Sequence, residues 1–187
     1  MKRLTGEINE PEFFNQDRYI GNLACWDVEK ENKMNKYFKG GHYLSIGCLN
    51  SVVPVLLAEQ GHKVTGIDFA DKVLDFLRSR FPKVHYIASD IRNGIEFPSM
   101  TVDYISASEL VEHLEDPKKF IDECMRVLKK GGVLSISTPY EEGVKQGAVD
   151  KHAHIWSFSE EDFKEWGFET ELLKEGIQTS ILAWKKK

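Results

Sequence analysis

The sequence predicts an α/β fold, doubly wound around a mostly parallel sheet. Three observations carry that expectation. Tyr43-Leu44-Ser45-Ile46-Gly47-Cys48 and Val64-Thr65-Gly66-Ile67-Asp68 are short apolar runs that each end on a turn residue. Val52 to Gln60, between them, has the periodicity of a helix. A strand, helix, strand unit of this kind forces a parallel pair joined by a right-handed crossover. Finally, the alternation continues as far as Thr138 and then gives way to a hairpin. In such sheets a ligand crevice opens beyond the carboxyl ends of the strands, where both Gly47 and Asp68 fall. Gly47 lets the first turn pass close to a ligand, and Asp68 is placed to accept hydrogen bonds from a ribose diol.

Each further element has a local cause. Residues up to Gly41 are polar, interrupted by Phe13, Phe14, Tyr19, Trp26, Tyr37 and Phe38. They predict one or two helices, either packed on the sheet edge or forming a lid whose aromatics cover a ligand. After Asp68, Asp71 is positioned to cap a helix with Val73, Leu74, Leu77 and Phe81 on one face, ended by Phe81-Pro82. Val84 to Ala88 predicts a third strand and Val102 to Ala107 a fourth. Asp116-Pro117 reads as an N-cap with proline at the first helical position. The helix it starts runs through Phe120, Ile121, Cys124, Val127 and Leu128, and Lys129-Lys130-Gly131-Gly132 stops it. Val133 to Thr138 is the fifth strand. The polar stretch from Pro139 to His154 is too long for a plain connector and is a candidate functional loop. Ser159 caps a short helix carrying Phe163 and Trp166, closed by Gly167. Phe168 to Lys174 and Ile177 to Trp184 are two last strands joined by a turn at Glu175-Gly176.

Composition narrows the class. A chain of 187 residues suits one domain, expected over 1–187, with 1–41 a helical lid region and 42–187 the core. A formal charge of −5 argues against strong nonspecific nucleic-acid binding, though it leaves room for a local basic patch. The cysteines Cys25, Cys48 and Cys124 are odd in number and contain no C-x-x-C pair, so neither a zinc knuckle nor a disulfide framework is indicated. The opening Met1 to Gly6 leads into no hydrophobic segment, and no apolar run approaches membrane-spanning length. A cytoplasmic protein without membrane contact is the expectation.

Laid in order, several short signals resemble one family. They are Gly47-Cys48, Asp68, Ser89-Asp90-Ile91, Val102-Asp103-Tyr104-Ile105, Glu109-Leu110-Val111-Glu112-His113-Leu114, Lys129-Lys130-Gly131-Gly132 and Ser137-Thr138-Pro139. Their order and spacing, from Tyr43 to Trp184, resemble the class I S-adenosylmethionine-dependent methyltransferases, particularly the small single-domain ones of type 11/12. The resemblance implies a Rossmann-like, seven-stranded sheet with an antiparallel terminal strand. It also implies S-adenosyl-L-methionine as cofactor and methyl transfer to a small-molecule acceptor. Carried over residue by residue, Gly47, Cys48 and Leu49 would contact the methionine part, Asp68 the ribose and Phe69 the adenine. Asp90 and Ile91 would frame the base edge, with Ser108 and Glu109 near the sulfonium. Asp68 and Asp90 also have bland readings, as a helix cap and a turn residue.

The sequence departs from this family at its first motif. An acid is usual two residues before Gly47, and glycine, any residue and glycine after Cys48; here stand Ser45, Leu49, Asn50 and Ser51. The missing acid removes an anchor near the amino-acid end of the cofactor. The missing glycines weigh harder against a dinucleotide, whose pyrophosphate must lie on a glycine-rich helix N-terminus, whereas S-adenosylmethionine has no phosphate.

Methyl transfer from a sulfonium is an in-line displacement in a dry site, and a base is needed only if the acceptor must lose a proton. His42, His62 and His85 flank strands away from the crevice and read as structural. His113 follows the fourth strand and the pair His152 and His154 follows the fifth, so both segments can reach one crevice. His113 and His154 are the expected catalytic side chains. Glu109, Glu112 and His113 would share one face of a helix, and with a second imidazole could hold a divalent metal. That set resembles the metal-dependent terminal 2′-O-methyltransferases of small RNAs, although non-metal methyltransferases carry a similar Glu-His pair. The metal-free small-molecule enzyme is the preferred reading. A metal-assisted RNA enzyme and a catalytically silent cofactor-binding member are the rivals.

Overall fold

The structure is a computed structural model describing residues 1–3, 15–16, 19–21, 23, 28–140, 154–176 and 178–187. Its core is a seven-stranded sheet. The strands are β1 (His42–Ile46), β2 (Lys63–Asp68), β3 (His85–Ala88), β4 (Val102–Ser108), β5 (Leu128–Pro139), β6 (Glu169–Glu175) and β7 (Gln178–Lys186). Their spatial order is β3-β2-β1-β4-β5-β7-β6. The first five run parallel, with Tyr43 opposite both Val64 of β2 and Tyr104 of β4. β7 then enters antiparallel to β5 and to β6, as the sequence predicts. The described helices are α1 (Val28–Met34), α2 (Val53–Glu59), α3 (Asp71–Arg80), α4 (Pro117–Val127) and α5 (Glu160–Glu165). None of them is long and apolar enough to cross a membrane.

Side chains alternate across a strand, so one strand feeds two cores. Leu44 and Ile46 of β1 join Ile105, Phe120, Ile121 and Ile136 on one face. Tyr43, the residue before Leu44, packs with Val64, Val73, Leu74, Leu77 and Tyr104 on the other. This two-faced burial explains why the central strands read as continuous apolar runs. It also fixes the switch point. The chain leaves β1 toward β2 and β3, then returns to β4 on the other flank of β1, opening a crevice between the two connections.

α1 packs against the sheet near β5 and β7 rather than on an edge. The carbonyl of Met34 accepts from the Tyr104 hydroxyl, from Ser135 Oγ at 3.0 Å and from Trp184 Nε1 at 3.0 Å. Of the aromatics assigned to a lid, Phe13, Phe14 and Trp26 lie outside the described residues, as do Cys25 and most of the loop after Tyr140, His152 included.

Two boundaries differ from expectation. α4 stops at Val127, and Leu128 already pairs with Val102 as the first residue of β5. Lys129-Lys130-Gly131-Gly132 is therefore an excursion inside the strand, where the register shifts before Val133 meets Tyr104. Gly131 turns it at φ 84° and donates its N–H to the Lys187 carbonyl. Glycine and lysine signal a helix stop locally, but the free edge of β4 claims the backbone first. The second difference is at α3, whose N-cap is Ala70, with Asp71 inside the first turn. Asp116 caps α4 as predicted, its carboxylate accepting from Lys119 N at 2.9 Å.

Candidate active site

A cavity of about 510 Å³ opens at the carboxyl ends of β1, β2 and β4. Gly47, Cys48, Leu49, Asp68, Phe69, Asp90, Ile91, Ser108, Glu109, His113 and His154 all line it. The volume lies within the range of small-molecule and cofactor pockets. Topology brings most of them together, because they follow strands that end at the same rim.

The turn after β1 folds back on β2. The N–H groups of Gly47 and Cys48 both donate to the Ile67 carbonyl, at 2.8 and 3.2 Å. Gly47 sits at φ +67°, and a Cβ there would stand 3.0 Å from Leu110. Leu49 holds a left-handed φ of 35° that glycine usually occupies. Asp68 accounts for this. Its carboxylate accepts from Leu49 N at 2.8 Å and from Ala70 N at 2.9 Å. Burial pushes the Asp68 carboxyl up, and these backbone N–H groups oppose the rise. Asp68 thus lines the cavity and braces the turns around it, whereas the N-cap of α3 is Ala70 and receives no side-chain cap bond. The turn offers no phosphate cradle, and its neutral rim beside a buried acid fits a nucleoside carrying an amino acid.

Asp90 is engaged differently. Arg92 grips its carboxylate, with Nε to Oδ1 at 2.9 Å and a terminal nitrogen to Oδ2 at 2.6 Å. This pairing holds the Asp90 carboxyl below its ordinary value. Arg92 also lies 5.9 Å from the centre of the Phe69 ring, so an arginine missed by the sequence reading frames the same corner. Its signal was its place two residues after Asp90.

Beyond β4 the chain does not form the expected helical face. Val111–His113 is a single 3-10 turn, and Glu109 precedes it at φ 50°. Glu109 and Glu112 therefore diverge. Glu109 Oε1 accepts from Ser137 Oγ at 2.8 Å and stands 3.4 Å from Lys30 Nζ of α1. Glu112 is 1% exposed, and its Oε2 accepts from Thr138 Oγ1 at 3.0 Å. Its Oε1 has no hydrogen-bond partner among the described residues and lies 3.9 Å from His113 Nε2. Burial, reinforced by the neighbouring Glu109 charge, holds the Glu112 carboxyl well above the usual range.

The same carboxylate's backbone brings the two histidines together. Ile155 N donates to the Glu112 carbonyl at 2.8 Å, and Trp156 Nε1 to the Leu114 carbonyl at 2.8 Å. The His113 and His154 rings consequently meet edge to face, 4.8 Å between centroids. One ligand atom each from Glu112, His113 and His154 can be chosen so that all lie within 4.8 Å of one another. His42, by contrast, is buried at the far end of β1, its Nε2 2.9 Å from Thr65 Oγ1.

Fold and site together define a Rossmann-like protein with a nucleoside-sized crevice at its switch point. A family model described as a methyltransferase domain matches residues 44–136. A "Probable S-adenosylmethionine-dependent methyltransferase" of Mycolicibacterium smegmatis is 35% identical over 104 residues, covering 54% of this chain and 38% of the relative. A "Ubiquinone biosynthesis O-methyltransferase" of Coxiella burnetii is 32% identical over 104 residues, covering 54% of this chain and 44% of the relative. A solved S-adenosylmethionine-dependent methyltransferase from Aquifex aeolicus superposes with a TM-score of 0.62 at 18% identity, over 94% of this chain and 98% of that one. The chain belongs to the S-adenosylmethionine-dependent methyltransferases, whose cofactor is S-adenosyl-L-methionine. It spans less than half the length of these two sequence relatives.

Proposed function

We propose that this chain transfers the methyl group of S-adenosyl-L-methionine to a small-molecule acceptor bearing an ionisable hydroxyl. The observation that carries this reading is the His113–His154 ring contact, at 4.8 Å, on the wall that Gly47 and Asp68 also line. When bound, the cofactor supplies an electrophilic methyl on a sulfonium. The protein's part is to orient, to exclude water and to accept a proton. An imidazole can take the hydroxyl proton near neutral pH as the oxygen–carbon bond forms and the carbon–sulfur bond breaks. The similarity to a relative named as an O-methyltransferase supports oxygen as the accepting atom. The free, buried thiols of Cys48 and Cys124 suit a reducing compartment such as the cytoplasm.

The test is thermal stabilisation by S-adenosylmethionine followed by S-adenosylhomocysteine release over a panel of phenols and catechols. A ligand bound only by the folded state raises the melting temperature. No shift would remove the cofactor reading. A shift without release on any acceptor would favour the catalytically silent member.

One observation supports a second reading. The orphaned, buried Glu112 Oε1 beside two imidazoles is a donor set that suits a divalent transition metal. Glu112, His113 and His154 would hold such an ion, which would act as a Lewis acid on the acceptor oxygen. The formal charge of −5 counts against RNA as the acceptor in that case.

A further inference from the structure

We infer that the end of the sheet opposite the crevice is a docking face for an anionic lipid bilayer, built from Lys39, Lys63, Lys130 and Lys186 around Met100. The inference is independent of which acceptor the crevice takes.

The fold polarises the charge. The crevice end carries Asp68, Asp90, Glu109 and Glu112, each near the carboxyl end of a strand. The opposite end is made of the segments that lead into β1, β2 and β4, the excursion inside β5 and the end of β7. Those stretches, 37–41, 61–63, 98–101, 129–132 and 185–187, contain seven lysines and no acidic side chain. The strand order β2-β1-β4-β5-β7 sets them side by side. Four steps of about 4.8 Å make the row about 19 Å wide, too wide for one small anion and suited to an array of headgroups.

Local contacts fix the row. A groove of about 410 Å³ joins Gly41, Lys63, Thr101 and Lys129. Its carboxylate, Asp103, is already held by Lys129 Nζ at 2.8 Å and by the His42 N–H at 2.8 Å. The Gly131 N–H donates to the Lys187 carbonyl and the Lys187 N–H to the Gly132 carbonyl, each at 2.9 Å. Lys186 is thereby held beside the excursion that carries Lys130. Lys39, Lys63, Lys130 and Lys186 are exposed and form no ion pair among the described residues. Their field also reaches inward. The buried His42 imidazole sits below its ordinary pKa, through burial first and the Lys63 charge next.

The formal charge of −5 does not oppose this contact. β1 has five residues, so the two ends stand roughly 16 Å apart, twice the Debye length of about 8 Å at physiological ionic strength. The lysine end meets an anionic surface while the carboxylates of the crevice are screened. Met100 favours a bilayer over a nucleic acid. It is 62% exposed at φ 57°, and its N–H donates to the Arg126 carbonyl at 3.1 Å. A thioether side chain held out among lysines can enter the acyl boundary, and a phosphate backbone gains nothing from it. No described helix is long and apolar enough to cross a bilayer, so the contact is with its surface.

The experiment is co-sedimentation of the full chain with two kinds of vesicle, phosphatidylcholine alone and phosphatidylcholine carrying about a third phosphatidylserine. Binding should appear only with the anionic vesicles and vanish in about 1 M salt, where the Debye length falls to about 3 Å. Lys63→Gln, Lys130→Gln and Lys186→Gln should each lower the partition coefficient about fivefold, the scale of one lysine at such a surface, at unchanged melting temperature. Met100→Ser should lower it with the salt dependence intact. Lys72→Gln, in the first turn of α3 at the crevice end, should leave it unchanged. Equal binding to the neutral vesicles, no binding to either kind, or an equal loss in Lys72→Gln would overturn the inference. A duplex oligonucleotide bound more tightly than the anionic vesicles at equal charge would mark a nucleic-acid face and overturn it too.

Discussion

The Asp68 carboxylate accepts the Leu49 N–H at 2.8 Å, so the end of β2 holds the turn that follows β1. The acid placed by sequence for a ribose is also a brace for the loop around it. Its other oxygen accepts the Ala70 N–H at 2.9 Å, so one buried side chain ties the turns after β1 and β2 together.

Asp68→Ala is therefore expected to reduce both folding stability and cofactor affinity. Two backbone N–H groups lose their acceptor, which should lower folding stability by about 1–3 kcal/mol. Denaturant titration and calorimetry with S-adenosylhomocysteine measure the two effects side by side. Weaker binding at unchanged stability would mean that the Leu49 and Ala70 bonds contribute little.

Gly47→Ala is expected to be costly for its size. The backbone at φ +67° penalises a Cβ, which would also press on Leu110 at 3.0 Å. The backbone conformation alone should lower stability by about 1–2 kcal/mol. Because Leu110 follows Glu109 and leads into His113, cofactor affinity should fall as well. Full retention of both would show that Leu110 yields freely.

His113→Ala should lower turnover by about 10²- to 10⁴-fold if the imidazole is the proton acceptor, with S-adenosylhomocysteine affinity unchanged. Wild-type activity should survive a chelator in the metal-free case. Loss of activity on chelation, restored by a divalent ion and absent in Glu112→Gln, would instead establish the cation reading. A melting temperature that drops while turnover holds would reduce His113 to tying its loop down.

Glu112 should make stability depend on pH. Burial raises its folded pKa above the unfolded value, so the fold favours the protonated carboxyl. The contribution is full below the unfolded-state pKa of about 4.3 and is lost as pH rises through the higher folded value. Glu112→Gln keeps the shape and stays neutral. It should match the wild type near pH 4 and exceed it in denaturant midpoint at neutral pH. A wild type that stays the more stable at neutral pH, with chelator present, would show that the ionised carboxylate is satisfied in the fold.

Much of this protein was legible in its residues taken a few at a time. The alternation from Tyr43 to Thr138 and the closing hairpin followed from periodicity, because polarity along a strand or helix reports which face is buried. Gly47 and Asp68 were legible because strand ends in a parallel sheet share one rim. Local signals failed where a distant backbone competed. Lys129 to Gly132 read as a helix stop but became a bulge once Leu128 found Val102. Glu109 and Glu112 read as one helical face but parted when Ser137 claimed one and Thr138 the other. The meeting of His113 with His154 needed the Ile155-to-Glu112 backbone bond, and Lys30 needed α1 seated on Tyr104, Ser135 and Trp184. Periodicity is carried by each residue's own polarity and survives in an isolated segment. Which side chains from separate segments share a cavity depends on strand register and helix docking, and those exist only when the whole core has closed.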